Sequence, residues 1–130
     1  MPHTITDTLR IALAQLNPVL GDLNGNAERL RRARADAAAQ GAHLVVVPEL
    51  FITGYPPEDL ERKPAFAAAA RATVEALAKE TADGGPGVLV GTVWPDGDLL
   101  YNAVALLDHG SVVTTRYKVD LPNYGVFDEK

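Results

Sequence analysis

The spacing of apolar and polar residues predicts a strand, a helix and a second strand in the first third of the chain. Apolar side chains alternate with small or polar ones over residues 9–15, which fits a half-buried strand. They then recur at helical spacing over residues 21–41, with Asp22 or Asn24 as candidate N-caps. Residues 44–47 are continuously apolar, which is typical of a strand covered on both faces and parallel to its neighbours. We therefore expect a right-handed βαβ crossover.

The remaining pattern predicts one more helix and an antiparallel meander. An alanine-rich helix is expected to begin at Pro64 and to end near Glu80, with one apolar stripe along it. Three further strands are expected at residues 88–94, 99–108 and 111–119. A turn at residues 95–97 is predicted to connect the first two of them. The predicted fold class is α/β, in the α+β sense of a mixed sheet with its helices on one face.

The opposite face of the predicted sheet also needs cover, because residues 44–47 are apolar on both sides. No third helix is predicted to provide it. We expect a further part of the chain or a partner to cover this face, and we expect an isolated 130-residue chain to self-associate or to be unstable.

Length and composition limit the possible functions. With 130 residues, 47% of them hydrophobic, the chain is one globular domain or part of one. A net charge of -5 without blocks of one sign does not support nucleic-acid binding. No apolar run approaches the roughly 20 residues of a membrane span. Residues 1–8 read as a loose polar leader without a signal pattern, so we expect a soluble cytoplasmic protein with no membrane partner. The sequence contains no cysteine, which excludes disulfides and thiol nucleophiles within these residues.

Two charged residues at predicted strand ends are the candidates for chemistry. Glu49 follows Pro48 at the carboxyl end of the second predicted strand, the edge at which open α/β sheets carry their sites. Glu49 also fits a turn cap or a partner for a surface arginine, and its position alone leaves these interpretations open. Lys118 comes at the end of the last predicted strand.

The pair of Glu49 and Lys118 has two interpretations. It is either a partly buried salt bridge, or a general base whose pKa is raised by burial beside a cation for a developing oxyanion. The second interpretation suits acyl transfer but lacks a nucleophile. No metal site is predicted, because the histidines lack ligand spacing, and no GxGxxG, Walker or HExxH motif is present. The histidines are His3, His43 and His109.

Four blocks of the sequence resemble the nitrilase superfamily of carbon-nitrogen hydrolases. In chain order they are LRIALAQLNPVLGDLNGNAERL, VVVPELFITGYPPEDL, LYNAVALL and TTRYKVDLPNYGVFDEK. Together they cover nearly the whole chain. Within the superfamily, PELFITGYPPEDL and LPNYGVFDEK are most similar to the glutaminase domain of glutamine-dependent NAD synthetases.

This resemblance implies a nitrilase-like αββα sandwich, with residues 9–130 as its N-terminal portion, and a Glu, Lys, Cys triad. Glu49 aligns with the general base of the triad, and Lys118 aligns with the lysine that stabilises the tetrahedral intermediate. The triad cysteine lies beyond the lysine block in this family, so the chain resembles a truncated domain.

The resemblance also implies roles for residues around the triad. Tyr55 matches a residue of the glutamine pocket. Tyr124 and Phe127 match the loop that shapes this pocket and the ammonia route. Glu129 resembles an acidic residue that buttresses the triad lysine. Without the resemblance, these aromatic residues would be interpreted as ordinary side chains packed in the core.

The function implied is hydrolysis of glutamine to supply ammonia for the amidation of nicotinate adenine dinucleotide to NAD. The implied partners are glutamine, a C-terminal synthetase domain of the same protein and further copies in a homo-oligomer. ATP and magnesium would belong to the synthetase domain, and no cofactor is expected in this chain. Two alternatives remain: a stand-alone nitrilase-type amidase acting on another small amide, or a short non-catalytic protein used for assembly.

Overall fold

A mixed five-stranded sheet forms the centre of the computed structural model, which describes residues 8–54, 64–97 and 99–118. Its strands follow chain order across the sheet. The first three strands are parallel and the last three antiparallel. They are β1 (Ile11–Leu13), β2 (Leu44–Val46), β3 (Gly87–Asp96), β4 (Leu99–Asp108) and β5 (Ser111–Tyr117). The predicted mixed sheet is confirmed.

Two helices cover one face of the sheet. Helix α1 spans Leu23–Ala39 and helix α2 spans Pro64–Glu80, followed by a short 3-10 helix at Thr81–Asp83. Asp22 is the N-cap of α1, since its Oδ1 accepts a hydrogen bond from Gly25 N at 3.0 Å. Both helices contribute buried residues to the same core cluster, as expected for right-handed crossovers between strands that advance across the sheet in one direction.

The core lies between this sheet face and the helices. Val45 of β2 and Val90 of β3 are fully buried there, together with Val74 of α2, and Leu30 of α1 is 1% exposed. Two arginines of α1 join it to the far end of α2. Arg31 forms a salt bridge with Glu80. Arg34 donates hydrogen bonds to both carboxylate oxygens of Asp83 and a third to the backbone O of Pro86. These contacts connect α1 to the last residue of α2 and to the segment that follows it.

The face opposite the helices carries apolar side chains that the described residues leave open. Strand register places Ile11, Leu44 and Gly87 in one row across the sheet, and Leu13, Val46 and Leu89 in the next. Three apolar side chains of this face are exposed to solvent: Ile11 at 49%, Leu13 at 70% and Val104 of β4 at 44%. The expectation that the helices cover only one face is confirmed for the described part of the chain. We call this opposite surface the open face.

Strand boundaries differ from prediction at two places. The predicted first strand is shortened to β1, although Ala14 N still donates to Val46 O at 2.9 Å just beyond it. The predicted turn at residues 95–97 is wrong for Pro95 and Asp96, which belong to β3 and pair with Leu100 and Leu99. The chain reverses at Gly97, whose φ of 63° suits glycine. The predicted leader lies outside the described residues apart from Thr8.

Candidate functional site

Glu49 lies over the open face because the chain crosses β3 immediately after β2. Val47 N donates the last ladder hydrogen bond, to Leu89 O at 3.1 Å, and Pro48 has no N–H with which to continue it. The segment then passes over Gly91 so closely that a Cβ there would lie 2.5 Å from Leu50 N and 2.9 Å from Glu49 Cα. Only glycine lets the two backbones approach to this distance.

The turn after Glu49 is held by the loop that precedes α1. Gly21 N donates to Thr53 O at 2.8 Å. Asn26, which is fully buried, donates through Nδ2 to Ile52 O and to Val19 O, each at 2.9 Å. The position of the Glu49 segment therefore depends on α1 as well as on the sheet.

Lys118 is the first residue after β5. Its backbone N donates to Asn102 O of β4 at 2.9 Å, which keeps it in register with the sheet. Its Nζ donates to Glu49 Oε1 and forms a salt bridge there. Residues 69 positions apart are thus brought together, as a shared site requires. Asn102 Nδ2 also donates to Glu49 Oε1, at 3.0 Å.

Hydrogen bonding keeps the Glu49 carboxyl group ionised. The hydrogen bond from Lys118 lowers the pKa of Glu49 most, and the hydrogen bond from Asn102 lowers it further, whereas partial burial acts in the opposite direction. The side chains of Glu49 and Lys118 are 44% and 47% exposed, so water still reaches both charged groups. The expectation of a buried glutamate with a raised pKa is wrong for this arrangement, because donors outweigh burial.

The charged pair borders a cavity of about 560 Å³ on the open face. Its walls combine apolar side chains, including Val46, Leu89 and Val104, with the polar groups of Glu49 and Asn102 and with two cations, Lys118 and Arg116. A cavity of this size can hold a small amide and further atoms. It offers an ionised carboxylate as a base and an ammonium group for a developing negative charge.

Four of the six predicted site residues lie outside the described residues, and no contact is assigned to them. They are Tyr55, Tyr124, Phe127 and Glu129. Among the residues that are described, no group of three or more histidine, aspartate or glutamate side chains could hold a metal ion. His43 accepts a hydrogen bond through Nδ1 from Arg10 N at 2.9 Å, at the other end of β2.

Sequence reasoning missed Asn102 and Gly91. Asn102 is only 4% exposed and lies within the apolar strand β4, yet it contacts Glu49 directly. The signal was present, because a polar residue inside the apolar run LYNAVALL needs a hydrogen-bond partner. Gly91, a glycine inside a strand, likewise signals a close backbone approach.

Curated relatives that match nearly the whole chain are glutamine-dependent NAD(+) synthetases. The protein from Thermotoga maritima is 44% identical over 122 residues, which are 94% of this chain and 21% of that protein. The protein from Rhodobacter capsulatus is 45% identical over 125 residues, which are 96% of this chain and 22% of that protein. The chain therefore spans about a fifth of the length of these relatives.

Solved structures show the same fold. A glutamine-dependent NAD(+) synthetase from Cytophaga hutchinsonii matches with a TM-score of 0.83 at 30% identity, over 94% of this chain and 21% of that one. An amidase from Nesterenkonia sp. matches with a TM-score of 0.75 at 32% identity, over 90% of this chain and 44% of that one. A mutant of the latter shows the result of Michael addition of acrylamide at its active-site cysteine.

These neighbours show that the sheet and helices are part of a nitrilase-type fold, as the sequence predicted. Residues 10–130 also match the family model described as carbon-nitrogen hydrolase. With the match extending from before β1 to the last residue, the chain belongs to the carbon-nitrogen hydrolase family.

Proposed function

We propose that this chain supplies the general base and the oxyanion-stabilising cation of a glutamine-hydrolysing amidase within a glutamine-dependent NAD synthetase. The observation that carries the proposal is the contact between Glu49 and Lys118 at the wall of the open-face cavity. The choice of glutamine and of NAD synthesis rests on the curated relatives, which match at 36–45% identity and carry that name.

The proposed reaction needs a thiol from another part of the complete protein, because these residues include no cysteine. Glu49 takes the thiol proton as sulfur attacks the side-chain amide carbon of glutamine, and Lys118 stabilises the oxyanion. The C–N bond breaks, and ammonia leaves with the proton held by Glu49. Water then attacks the thioester and gives its proton to Glu49, which returns it to the departing sulfur, so glutamate and the free thiol result.

The low pKa of Glu49 is compatible with this role. The carboxylate is already in its basic form at neutral pH. A layer of protein over the open face would remove water from the pair, strengthen the ammonium–carboxylate attraction and raise the cost of charge on Glu49. These two effects act in opposite directions on the pKa of Glu49.

Other residues complete the proposed site. Tyr55, Tyr124 and Phe127 are proposed to line the glutamine pocket, and Glu129 is proposed to support Lys118. We propose that the resulting ammonia serves a C-terminal synthetase domain in a cytoplasmic homo-oligomer. We propose that ATP and magnesium bind in that synthetase domain. No helix of the described residues is long and apolar enough to cross a membrane.

The test is Glu49→Gln in the complete protein that contains this chain. The amide keeps the size of the side chain but cannot take a proton. NAD synthesis supported by glutamine should fall at least a hundredfold, an order-of-magnitude expectation for loss of a general base. Synthesis supported by free ammonia should be retained. Equal loss of both activities, or retention of both, would contradict the proposal.

The Nesterenkonia similarity favours one second candidate, an amidase without synthetase activity. This chain covers 44% of that amidase, twice the share of the synthetases. A stand-alone amidase would hydrolyse a small amide but would not make NAD from ammonia, ATP and nicotinate adenine dinucleotide. Measuring ammonia-supported synthesis with the complete wild-type protein therefore separates the two candidates.

A further inference from the structure

Asn102 contacts both candidate catalytic residues. Its backbone O accepts a hydrogen bond from Lys118 N at 2.9 Å, and its Nδ2 donates to Glu49 Oε1 at 3.0 Å. It is 4% exposed, whereas the side chains it joins are nearly half exposed. A buried amide in the middle of a strand thus connects two exposed charged groups.

We infer that Asn102 is a positioning residue for the proposed glutamine hydrolysis, which holds Glu49 Oε1 so that Oε2 is the oxygen that takes the proton. The inference rests on the proposed function, because it assigns a task within that reaction. Asn102 does not itself react in this scheme. It acts through the orientation of the Glu49 carboxylate.

The distribution of donors on the carboxylate supports the assignment. Lys118 Nζ and Asn102 Nδ2 both donate to Oε1. Oε2 accepts no hydrogen bond from any residue that the structure describes. An oxygen with two donors, one of them cationic, has its negative charge stabilised, so the other oxygen is the better proton acceptor.

Asn102 and Lys118 contribute differently to this geometry. Lys118 brings the charge, but its long side chain is 47% exposed and has several rotatable bonds. Asn102 has a short side chain in the interior of β4, where its position is paired with Val93 of β3. Its amide also has a defined orientation, because only Nδ2 can donate to a carboxylate. The fixed direction of Glu49 therefore comes from Asn102.

The test compares pH profiles of glutamine hydrolysis in the complete protein. Asn102→Leu removes the donor and keeps the branched shape of the side chain. It should lower kcat for glutamine about tenfold at neutral pH, the lower end of what a hydrogen bond to a charged group contributes, with little change in KM. The acid limb of the profile should move to higher pH, because the Glu49 carboxylate loses a stabilising donor. Asn102→Asp should move the limb further, since a second carboxylate beside Glu49 raises its pKa.

Thr92→Val is the matched control. Thr92 is fully buried in the neighbouring strand β3, and its hydroxyl donates to Val93 O at 2.9 Å without contacting Glu49. This variant should keep the wild-type acid limb. Glutamine hydrolysis that falls in Asn102→Leu with an unmoved acid limb would overturn the inference and give Asn102 a purely structural role.

The outcomes also separate this inference from the proposed function. If Glu49→Gln retains glutamine hydrolysis, the proposed function fails and the inference fails with it. If Glu49→Gln abolishes hydrolysis but neither Asn102 variant moves the acid limb, only the inference fails. Thermal unfolding shows whether Asn102→Leu folds. If it does not, Asn102→Asp alone tests the inference, because it nearly preserves the side-chain volume and its acid limb is also expected at higher pH.

Discussion

The position of Glu49 depends on Gly91, a residue of strand β3 that has no side chain. At Gly91, an added Cβ would meet Leu50 N at 2.5 Å, Pro48 O at 2.8 Å and Glu49 Cα at 2.9 Å. All three are backbone atoms, so no side-chain rotation can relieve the contact. The segment that carries Glu49 would have to lift from the sheet.

We predict that Gly91→Ala lowers the free energy of unfolding by about 1–3 kcal/mol, the usual cost of overpacking. Glutamine hydrolysis should be lost along with the contact to Lys118. Urea denaturation and glutamate release measure the two effects. Gly97→Asn is the control, because nothing lies within 4 Å of that position and asparagine tolerates its positive φ. A Gly91→Ala protein with wild-type hydrolysis would show that the close approach is dispensable.

The Glu49–Lys118 pair has a defined effect of pH on stability. The folded protein lowers the pKa of Glu49 from its ordinary value of 4.5. The ionised carboxylate therefore stabilises the fold above the ordinary pKa, and this contribution is lost as the pH falls through the folded-state pKa. Because both side chains are nearly half exposed, the contribution is less than about 1 kcal/mol.

We predict that Glu49→Gln is slightly less stable than the wild type at pH 7 and that this difference shrinks as the pH falls below 4.5. Urea denaturation at a series of pH values measures it. Lys118→Met removes the largest cause of the shift, so its stability should depend less on the ionisation of Glu49. A difference that grows on acidification would mean that the folded protein raises the pKa of Glu49.

Among the elements, α1 does more than cover the sheet. Its first turn contains Asn26, whose side chain makes four hydrogen bonds. Its partners are Val19 N, Val19 O, Ile52 O and the guanidinium of Arg29. One buried amide thus ties the loop before α1 to the turn after Glu49.

We predict that Asn26→Leu lowers the free energy of unfolding by about 2–4 kcal/mol, since the backbone groups Ile52 O and Val19 N lose their hydrogen bonds to the Asn26 side chain. It should also reduce glutamine hydrolysis, because the turn beside Glu49 loses its anchor. Chemical denaturation and activity measure the two losses. Asn24→Ala on the exposed side of the same helix is the control and should be nearly neutral. Full stability in Asn26→Leu would contradict the anchoring role.

At the scale of the whole molecule, we expect the open face to determine how the chain associates with other protein surfaces. Ile11, Leu13 and Val104 are exposed there beside the charged pair. The nitrilase-type neighbours are longer than this chain, which covers 44% of the Nesterenkonia amidase. We propose that the second layer of the sandwich lies on this face in the complete protein.

We predict that the 130-residue chain on its own self-associates through the open face. Replacing Leu13 and Val104 by threonine should reduce the association, because threonine retains strand preference but adds a hydroxyl. Light scattering measures the change. Leu99→Thr is the control, since Leu99 is 60% exposed but alternates onto the helix side of β4. A monodisperse monomer of the unaltered chain would contradict the prediction.

The sequence determined the elements and their order, because those depend on local periodicity. Helix α2 begins and ends at the residues predicted, Pro64 and Glu80, and β4 has its predicted bounds. The βαβ rule then placed both helices on one face, as observed. Glu49 and Lys118 were identifiable as site candidates because both come at strand ends and match family blocks.

Only the tertiary structure decided how those candidates interact. The ionisation of Glu49 depends on how many donors reach its carboxylate and how much water remains, neither of which is encoded by position in the chain. The roles of Asn102, Gly91 and Asn26 arise from contacts across 53, 41 and 26 residues, to Glu49, Leu50 and Ile52 respectively. Local patterns cannot specify such contacts, because they form only when the sheet brings distant segments within hydrogen-bonding distance.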